Sequence, residues 1–169
     1  ALGNFVNRTV TFAHKYFEGK IPAAGQRDEV DARQIAIRAE YAQRVAAELE
    51  ACRFKSALAL VMELARAGNG YFDVTAPFRS RKTDMVASGR AINVCLQTVR
   101  TLTTLMAPFL PFSAEKCLRM LKLDEKALLW DSAADELPDG APLGEAEYLV
   151  KKLEMEEAVK LLTPAPPAS

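Results

Sequence analysis

Residues 2–17 read LGNFVNRTVTFAHKYF, and this stretch decides the fold class. Its large apolar residues recur every three or four positions, which is the period of an amphipathic α-helix. Gly19 follows directly, and a glycine there predicts a left-handed turn that ends the helix. The sequence therefore opens with a helix whose apolar face packs into a core. The inward residues are Leu2, Phe5, Val6, Val10, Ala13, Tyr16 and Phe17.

Four further helices are predicted downstream from the same spacing of apolar residues. Prolines separate them: Pro77 forces the residue before it out of helical geometry, and Pro108 with Pro111 ends the most apolar helix. That helix is expected at the centre of the bundle, whereas the charged helix after residue 28 is expected to expose its outer face. The predicted helices cover 28–52, 54–72 (with Phe54 facing inward), 84–106 and, after a cap at Ser113, 113–121.

From about residue 124 the predicted elements become shorter, and the last is a helix near 154–162. Residues 163–169, TPAPPAS, are too poor in large apolar side chains to make a core, so a disordered tail is predicted there. No segment alternates with the period of a β-strand. The sequence predicts an all-α fold, a helical bundle over residues 1–162.

The charges of the chain are balanced overall but unevenly distributed. The 22 basic side chains equal the 22 acidic ones, yet residues 1–100 carry 15 basic and 10 acidic side chains. The remainder is therefore acidic. Because phosphate backbones attract clustered Lys and Arg, the basic first half is the part in which a nucleic-acid site is expected.

The expected cellular setting follows from cysteines and hydropathy. Cys52, Cys95 and Cys117 are widely spaced within helical patterns, which indicates neither a disulfide framework nor a zinc site. There is no signal peptide and no apolar run long enough for a membrane. We expect a soluble, cytoplasmic protein with no membrane partner. The chain also begins without Met and inside a helical pattern, which favours a fragment of a longer protein.

The polar face of the first helix carries hydrogen-bond donors but no acidic side chain. It presents Asn4, Asn7, Arg8, Thr11, His14 and Lys15, and no carboxylate occurs before Glu18. Single-stranded RNA bases are recognised by such donors and acceptors on their exposed edges, and their phosphates by cations. The alternative is an ordinary solvated helix face, although exposed helices usually mix both signs of charge.

An aromatic residue beside cations supplies a possible stacking surface. Phe78 follows the Pro77 break and is followed by Arg79, Arg81 and Lys82. An unstacked base and its phosphate fit this arrangement. The alternative is a buried loop phenylalanine next to a solvated charge run.

Catalytic chemistry is not indicated by the sequence. His14 is the only histidine and has no partner at ligand or base spacing. Phosphate-binding glycine loops, nucleophile elbows and paired catalytic carboxylates are absent. The chain alone is expected to run no reaction.

Three segments, in order, resemble the anticodon-binding domain of methionyl-tRNA synthetases. They are LGNFVNRTVTFAHKYFEGKIP at 2–22, GNGYFDVTAPFRSRK at 68–82 and LTTLMAPFLPFSAEK at 102–116. The later PLGEAEYLVKKLEMEE at 142–157 is similar to the closing segment of that family. Together the matches span about residues 2 to 158.

The resemblance implies a helical bundle of the class I aminoacyl-tRNA synthetase type that recognises the CAU anticodon of tRNA(Met). The implied partners are that anticodon loop and the catalytic domain of the same chain, and DNA is not implied. The HIGH and KMSKS signatures of the catalytic domain are absent. No cofactor is therefore expected in this fragment, whereas ATP, with zinc as a further candidate, belongs to the full-length enzyme.

The resemblance also implies the residues of an anticodon site. In the family an Asn and an Arg four residues apart on the first helix, with a Trp after Ala-Pro, read and stack the first anticodon base. The resemblance places these positions at Thr11, Lys15 and Phe78, and the lysine of the Ala-Pro segment at Lys82. Asn7 and Arg8 form a family-like pair for which two roles stay open: holding anticodon nucleotides or bracing the bundle.

Two other functions are compatible with the sequence. One is the related anticodon domain of another class I synthetase, of the cysteinyl, leucyl or valyl type. The other is a helical interaction or scaffold module that docks against protein, which the acidic second half permits.

Overall fold

Six α-helices build the part of the chain that the computed structural model describes, residues 1–150. Two short 3₁₀ turns follow, and no strand occurs in these 150 residues, so the predicted all-α class is confirmed. The predicted helix near 154–162 and the tail at 163–169 lie outside the described residues. The helices are α1 (Leu2–Tyr16), α2 (Glu29–Glu50), α3 (Phe54–Thr75), α4 (Pro77–Ser80), α5 (Met85–Met106) and α6 (Pro111–Leu121).

The predicted end of α1 is confirmed, whereas the predicted start of α6 is wrong. Gly19 has a φ of +65° and follows Glu18, which is also left-handed. Helix α6 begins at Pro111 instead of being capped by Ser113, which is buried in its first turn. A proline at the first helical position has the required φ and needs no hydrogen bond from its nitrogen, so it starts the helix two residues earlier.

Helix α3 departs from its predicted form at both ends. Phe54 was expected to face inward but is 60% exposed, because the first turn of α3 precedes Ala57, the first residue of this helix in the core. The helix continues to Thr75 and ends at Ala76, whose φ of +42° is left-handed. Pro77 then begins α4, so the proline both ends one helix and starts the next.

Helix α5 is the central helix, as predicted, and every residue from 91 to 106 is buried. Some of its buried polar side chains bind the backbone of the chain that follows α6, whereas three threonines bind carbonyls of α5 itself. The Gln97 amide donates to the Leu137 carbonyl at 3.0 Å and accepts from the Leu137 N–H at 2.7 Å. Arg100 donates to the Ser132 carbonyl at 2.9 Å. These bonds satisfy backbone groups that have no regular secondary structure to pair with.

Helix α2 is not purely solvated on its charged side. Asp31 is 2% exposed and accepts a hydrogen bond from the Tyr71 hydroxyl of α3 at 2.5 Å. Arg90 of α5 pairs with the same carboxylate at 2.6 Å. Burial and the bond to Asp31 raise the pKa of Tyr71 above its usual value. One carboxylate therefore joins three helices.

A strap, residues 137–150, runs along α1 from its C-terminal end to its N-terminal end. The Leu143 N–H donates to the Gly19 carbonyl at 2.7 Å, and His14 Nε2 donates to the Gly144 carbonyl at 2.7 Å. At the other end Val150 lies against Gly3. The single histidine therefore holds the strap.

The opposite side of α1 packs closely on α3 through Phe5 and Gly68. A methyl group placed on Gly68 would lie 2.5 Å from Cζ of Phe5, whose ring is fully buried. Glycine at this position therefore sets how closely the two helices approach. No helix in the described 150 residues is long and apolar enough to cross a membrane.

Two glycines of α3 give matched tests of this contact. We expect Gly68→Ala to lower the free energy of unfolding by about 1–3 kcal/mol, because the new methyl group overlaps a ring that cannot move away. Gly70, two residues on, has open space around it. Gly70→Ala should therefore raise the free energy of unfolding by about 0.5–1 kcal/mol. Urea titrations followed by circular dichroism measure both, and equal effects of the two changes would contradict the close packing.

Candidate nucleic-acid interface

The polar face of α1 divides into accessible and engaged residues. Thr11 and Lys15 are exposed, and Asn7 is half-buried; the three lie one turn apart on a single line. Asn7 also borders a groove at the start of α1 that is lined by Gly3 and residues 148–150. The predicted site residues of α1 therefore extend along the helix over two turns.

Arg8 braces α1 on α3, which is one of the two roles left open by the sequence. Its guanidinium lies 3.8 Å from the centroid of the Phe72 ring and donates to Oδ1 of Asp73 at 2.7 Å. A longer bond of 3.4 Å reaches Oδ1 of Asn69. The Arg8 side chain nevertheless keeps 25% of its surface exposed. Bracing and ligand contact are therefore compatible in this residue.

Asn4 is a further residue of this surface that the sequence-based site assignment missed. Its amide donates to the same Asn69 Oδ1 at 3.4 Å that Arg8 reaches. Asn69 is itself fixed by donating to the Ala65 carbonyl at 2.9 Å. Asn4, Arg8, Asn69 and Asp73 thus line a polar crease between α1 and α3, here called the crease.

The crease matches the expected family pair more simply than Thr11 and Lys15 do. An Asn and an Arg four residues apart occur at Asn4 and Arg8 without any substitution. Placing that pair at Thr11 and Lys15 requires two replacements. The spacing alone was the signal that could have identified Asn4.

Packed aromatic rings connect the crease to the other end of α1. Phe72 packs edge-on against Phe12 at 6.0 Å, and Phe12 contacts Tyr16 at 4.5 Å between ring centroids. Arg81 lies 4.3 Å above the Tyr16 ring. The rings of Phe72, Phe12 and Tyr16 thus form a column with one guanidinium at each end, Arg8 on Phe72 and Arg81 on Tyr16.

Phe78 lies on the short helix α4 and is 43% exposed, which contradicts the alternative of a buried loop residue. Its turn is anchored to α5 because Ser88 donates to the Pro77 carbonyl at 2.9 Å. Arg79 lies 5.9 Å from the Phe78 ring, and Lys82 is exposed.

Arg81 links this turn to α1 by stacking on Tyr16. The structure thus connects the Phe78 turn to the end of α1 that carries Lys15.

The end of α1 and the α4 turn carry cations that have no acidic partner in the described part of the chain. Within residues 1–150, no carboxylate forms an ion pair with Lys15, Arg79, Arg81 or Lys82. Lys15 Nζ lies 5.4 Å from the Tyr16 ring centroid. An exposed aromatic ring beside unpaired cations suits an unstacked base and its phosphates.

A family model described as the anticodon binding domain of methionyl tRNA ligase matches residues 21–162. The chain belongs to this family. The matched range includes Phe78 and Lys82, whereas the site residues of α1 precede it. The match also decides against the cysteinyl, leucyl and valyl alternatives.

Relatives of this anticodon-binding domain are methionine–tRNA ligases. The enzyme of Pyrococcus horikoshii is 40% identical over 158 residues, which are 94% of this chain and 21% of that protein. The enzyme of Porphyromonas gingivalis is 40% identical over 154 residues, or 90% of this chain and 22% of its own length. The chain thus spans about a fifth of the relatives it matches.

A solved structure supports the bundle itself. The apo form of Mycobacterium tuberculosis methionyl-tRNA synthetase superposes with a TM-score of 0.86 at 24% identity. The superposition covers 90% of this chain and 32% of that one. The predicted architecture of this anticodon-binding domain is therefore confirmed.

The bracing role of Arg8 can be tested by measuring the free energy of unfolding of variants. We expect Arg8→Ala to lower the free energy of unfolding by about 1–2 kcal/mol, because it removes both the stack on Phe72 and the bond to Asp73. Lys15→Ala, on the exposed line of the same helix, should change it by less than about 0.5 kcal/mol. Denaturant titration of both variants checks this, and an Arg8→Ala protein as stable as the parent would refute the brace.

Proposed function

We propose that this domain reads the CAU anticodon of tRNA(Met) for a methionine–tRNA ligase. It positions the tRNA so that a catalytic domain elsewhere in the protein can carry out ATP-dependent aminoacylation in the cytoplasm. The observation that carries the proposal is the exposed Phe78 ring on a turn that Arg81 ties to α1. The cations of this turn form no ion pair with a carboxylate among residues 1–150. The names of the relatives support the amino acid and the tRNA.

The crease supplies the hydrogen bonds that a cytosine would need. Cytosine presents two acceptors and one amino donor on its pairing edge. A guanidinium donates only, whereas an amide both donates and accepts, so Arg8 and Asn4 complement that edge. Arg8 is already held in plane by Phe72 and Asp73, which lowers the entropy lost on binding. In the family one base is both stacked and read, so the proposed complex places the base that stacks on Phe78 against Asn4 and Arg8.

The remaining predicted residues suit the sugar–phosphate backbone of the loop. Lys15 and Lys82 are exposed cations, and the Thr11 hydroxyl lies one turn before Lys15. Asn7 continues this line towards the start of α1. Point charges and hydroxyls position a strand without selecting its bases. We assign Asn7, Thr11, Lys15 and Lys82 to such positioning contacts.

Replacing the stacking ring tests the proposal. Phe78→Ala should weaken binding of a CAU anticodon stem-loop by about 1–3 kcal/mol, whereas Phe78→Trp should preserve or strengthen it because the stacking area grows. Phe112→Ala is the matched control, since Phe112 is 78% exposed on α6. Fluorescence anisotropy of a labelled stem-loop gives the affinities of the three variants and the parent.

Base discrimination is measured in the same assay by replacing the first anticodon base. We expect Asn4→Ala to reduce the preference of the protein for C at that position, because the amide is one of the two groups that face its edge. Equal affinity of the parent for CAU and for an unrelated triplet would refute anticodon reading. Unchanged binding in both Phe78→Ala and Asn4→Ala would favour the scaffold function.

A further inference from the structure

Arg81 differs from the other arginines of the described residues. Most of them pair with carboxylates, as Arg27 does with Glu136 at 2.6 Å, or donate to backbone oxygens, as Arg100 does. Other arginines without such partners in residues 1–150 are exposed. Arg81 is half-buried, and its side chain has no hydrogen-bond acceptor in that part of the chain. Within residues 1–150, this guanidinium is thus held in place without an acid to neutralise it.

The position of this guanidinium is fixed by Tyr16. The Cζ atom of Arg81 lies 4.3 Å from the ring centroid, and Nε is shielded from solvent. Tyr16 is in turn supported by Phe12 at 4.5 Å. Stacking orients the plane of the guanidinium and reduces the side-chain entropy that a ligand must remove.

The chemistry of the Arg81 guanidinium points to an oxyanion as its ligand. A guanidinium presents parallel N–H groups that match two oxygens of a phosphate, and it stays charged at any physiological pH. Lys15 lies near the same Tyr16 ring, and Lys82 is the next residue in sequence. Phe78 precedes Arg81 by three residues. A phosphate bound by Arg81 would therefore lie close to a base stacked on Phe78.

We propose that Arg81, oriented by Tyr16, binds one backbone phosphate of the RNA loop beside the base that stacks on Phe78. This inference rests on the proposed function and singles out Arg81 among the three cations that follow Phe78. The contact is independent of base identity, so it contributes affinity and register but no selectivity. The ligand is one RNA phosphodiester.

The test compares the full 169-residue chain with Arg81→Ala, Arg81→Lys and the control Lys55→Ala. Lys55 is an exposed cation near the start of α3, about 25 Å along the helix from Phe72 at 1.5 Å per residue. Affinity for a CAU stem-loop is measured by anisotropy at several salt concentrations. A second set of stem-loops carries a neutral methylphosphonate at each loop position in turn.

We expect Arg81→Ala to bind about tenfold more weakly. Its affinity should also fall less steeply with salt, with a slope of log affinity against log salt that is shallower by about 0.7 to 1. Arg81→Lys should keep the slope but lose part of the affinity, because an ammonium has no planar fork. One methylphosphonate should weaken the parent and leave Arg81→Ala unchanged. Lys55→Ala should match the parent.

Different results separate the failure of this inference from that of the proposed function. A weaker Arg81→Ala complex with the parent salt slope, and no methylphosphonate position that depends on Arg81, would overturn the phosphate contact and leave only a structural role. If the parent binds CAU no better than other triplets, anticodon reading is contradicted. The comparison of salt slopes between the parent and Arg81→Ala still decides the Arg81 contact in that case. No binding by the parent at all overturns both.

Discussion

The close approach of α1 to α3 at Phe5 and Gly68 is the contact on which the candidate site depends. Without a side chain on Gly68, the buried Phe5 ring lies directly on the backbone of α3. Asn4 and Arg8, one residue before Phe5 and three after it, then reach Asn69 at the crease. A larger residue at 68 would separate the helices and move the donors of α1 away from their partners on α3. The geometry of the crease is thus a consequence of core packing.

The other side of α1 is held by the strap, and the strap is held by α5. Gln97 binds both backbone groups of Leu137, and His14 binds the Gly144 carbonyl. The buried Gln97 thus has a structural role, because it satisfies an irregular segment that has no ladder of its own. Helix α1 is consequently fixed between α3 and the strap. A rigid helix suits a surface that must present donors in a defined register.

Much of the fold follows from patterns that act over short distances in sequence. The three-and-four spacing located α1 and α5, and the prolines located the breaks around residues 77 and 110. Contacts between distant segments were not predictable in the same way. The acid-free face of α1 is an example, because α3 supplies Asp73 to Arg8 from 65 residues away. Asn69, which joins Asn4 to Arg8, is equally remote, and the column from Arg8 to Arg81 needs three separate elements. The family resemblance indicated the ligand, whereas only the three-dimensional structure shows which side chains of the different helices are in contact.

A structure of the 169-residue chain bound to an anticodon stem-loop carrying CAU would show directly whether this surface reads the anticodon. We expect the first anticodon base to stack on Phe78 with its pairing edge turned towards Asn4 and Arg8. A loop bound instead on the outer surface of α2 or α6, with the crease and Phe78 free of RNA, would contradict it.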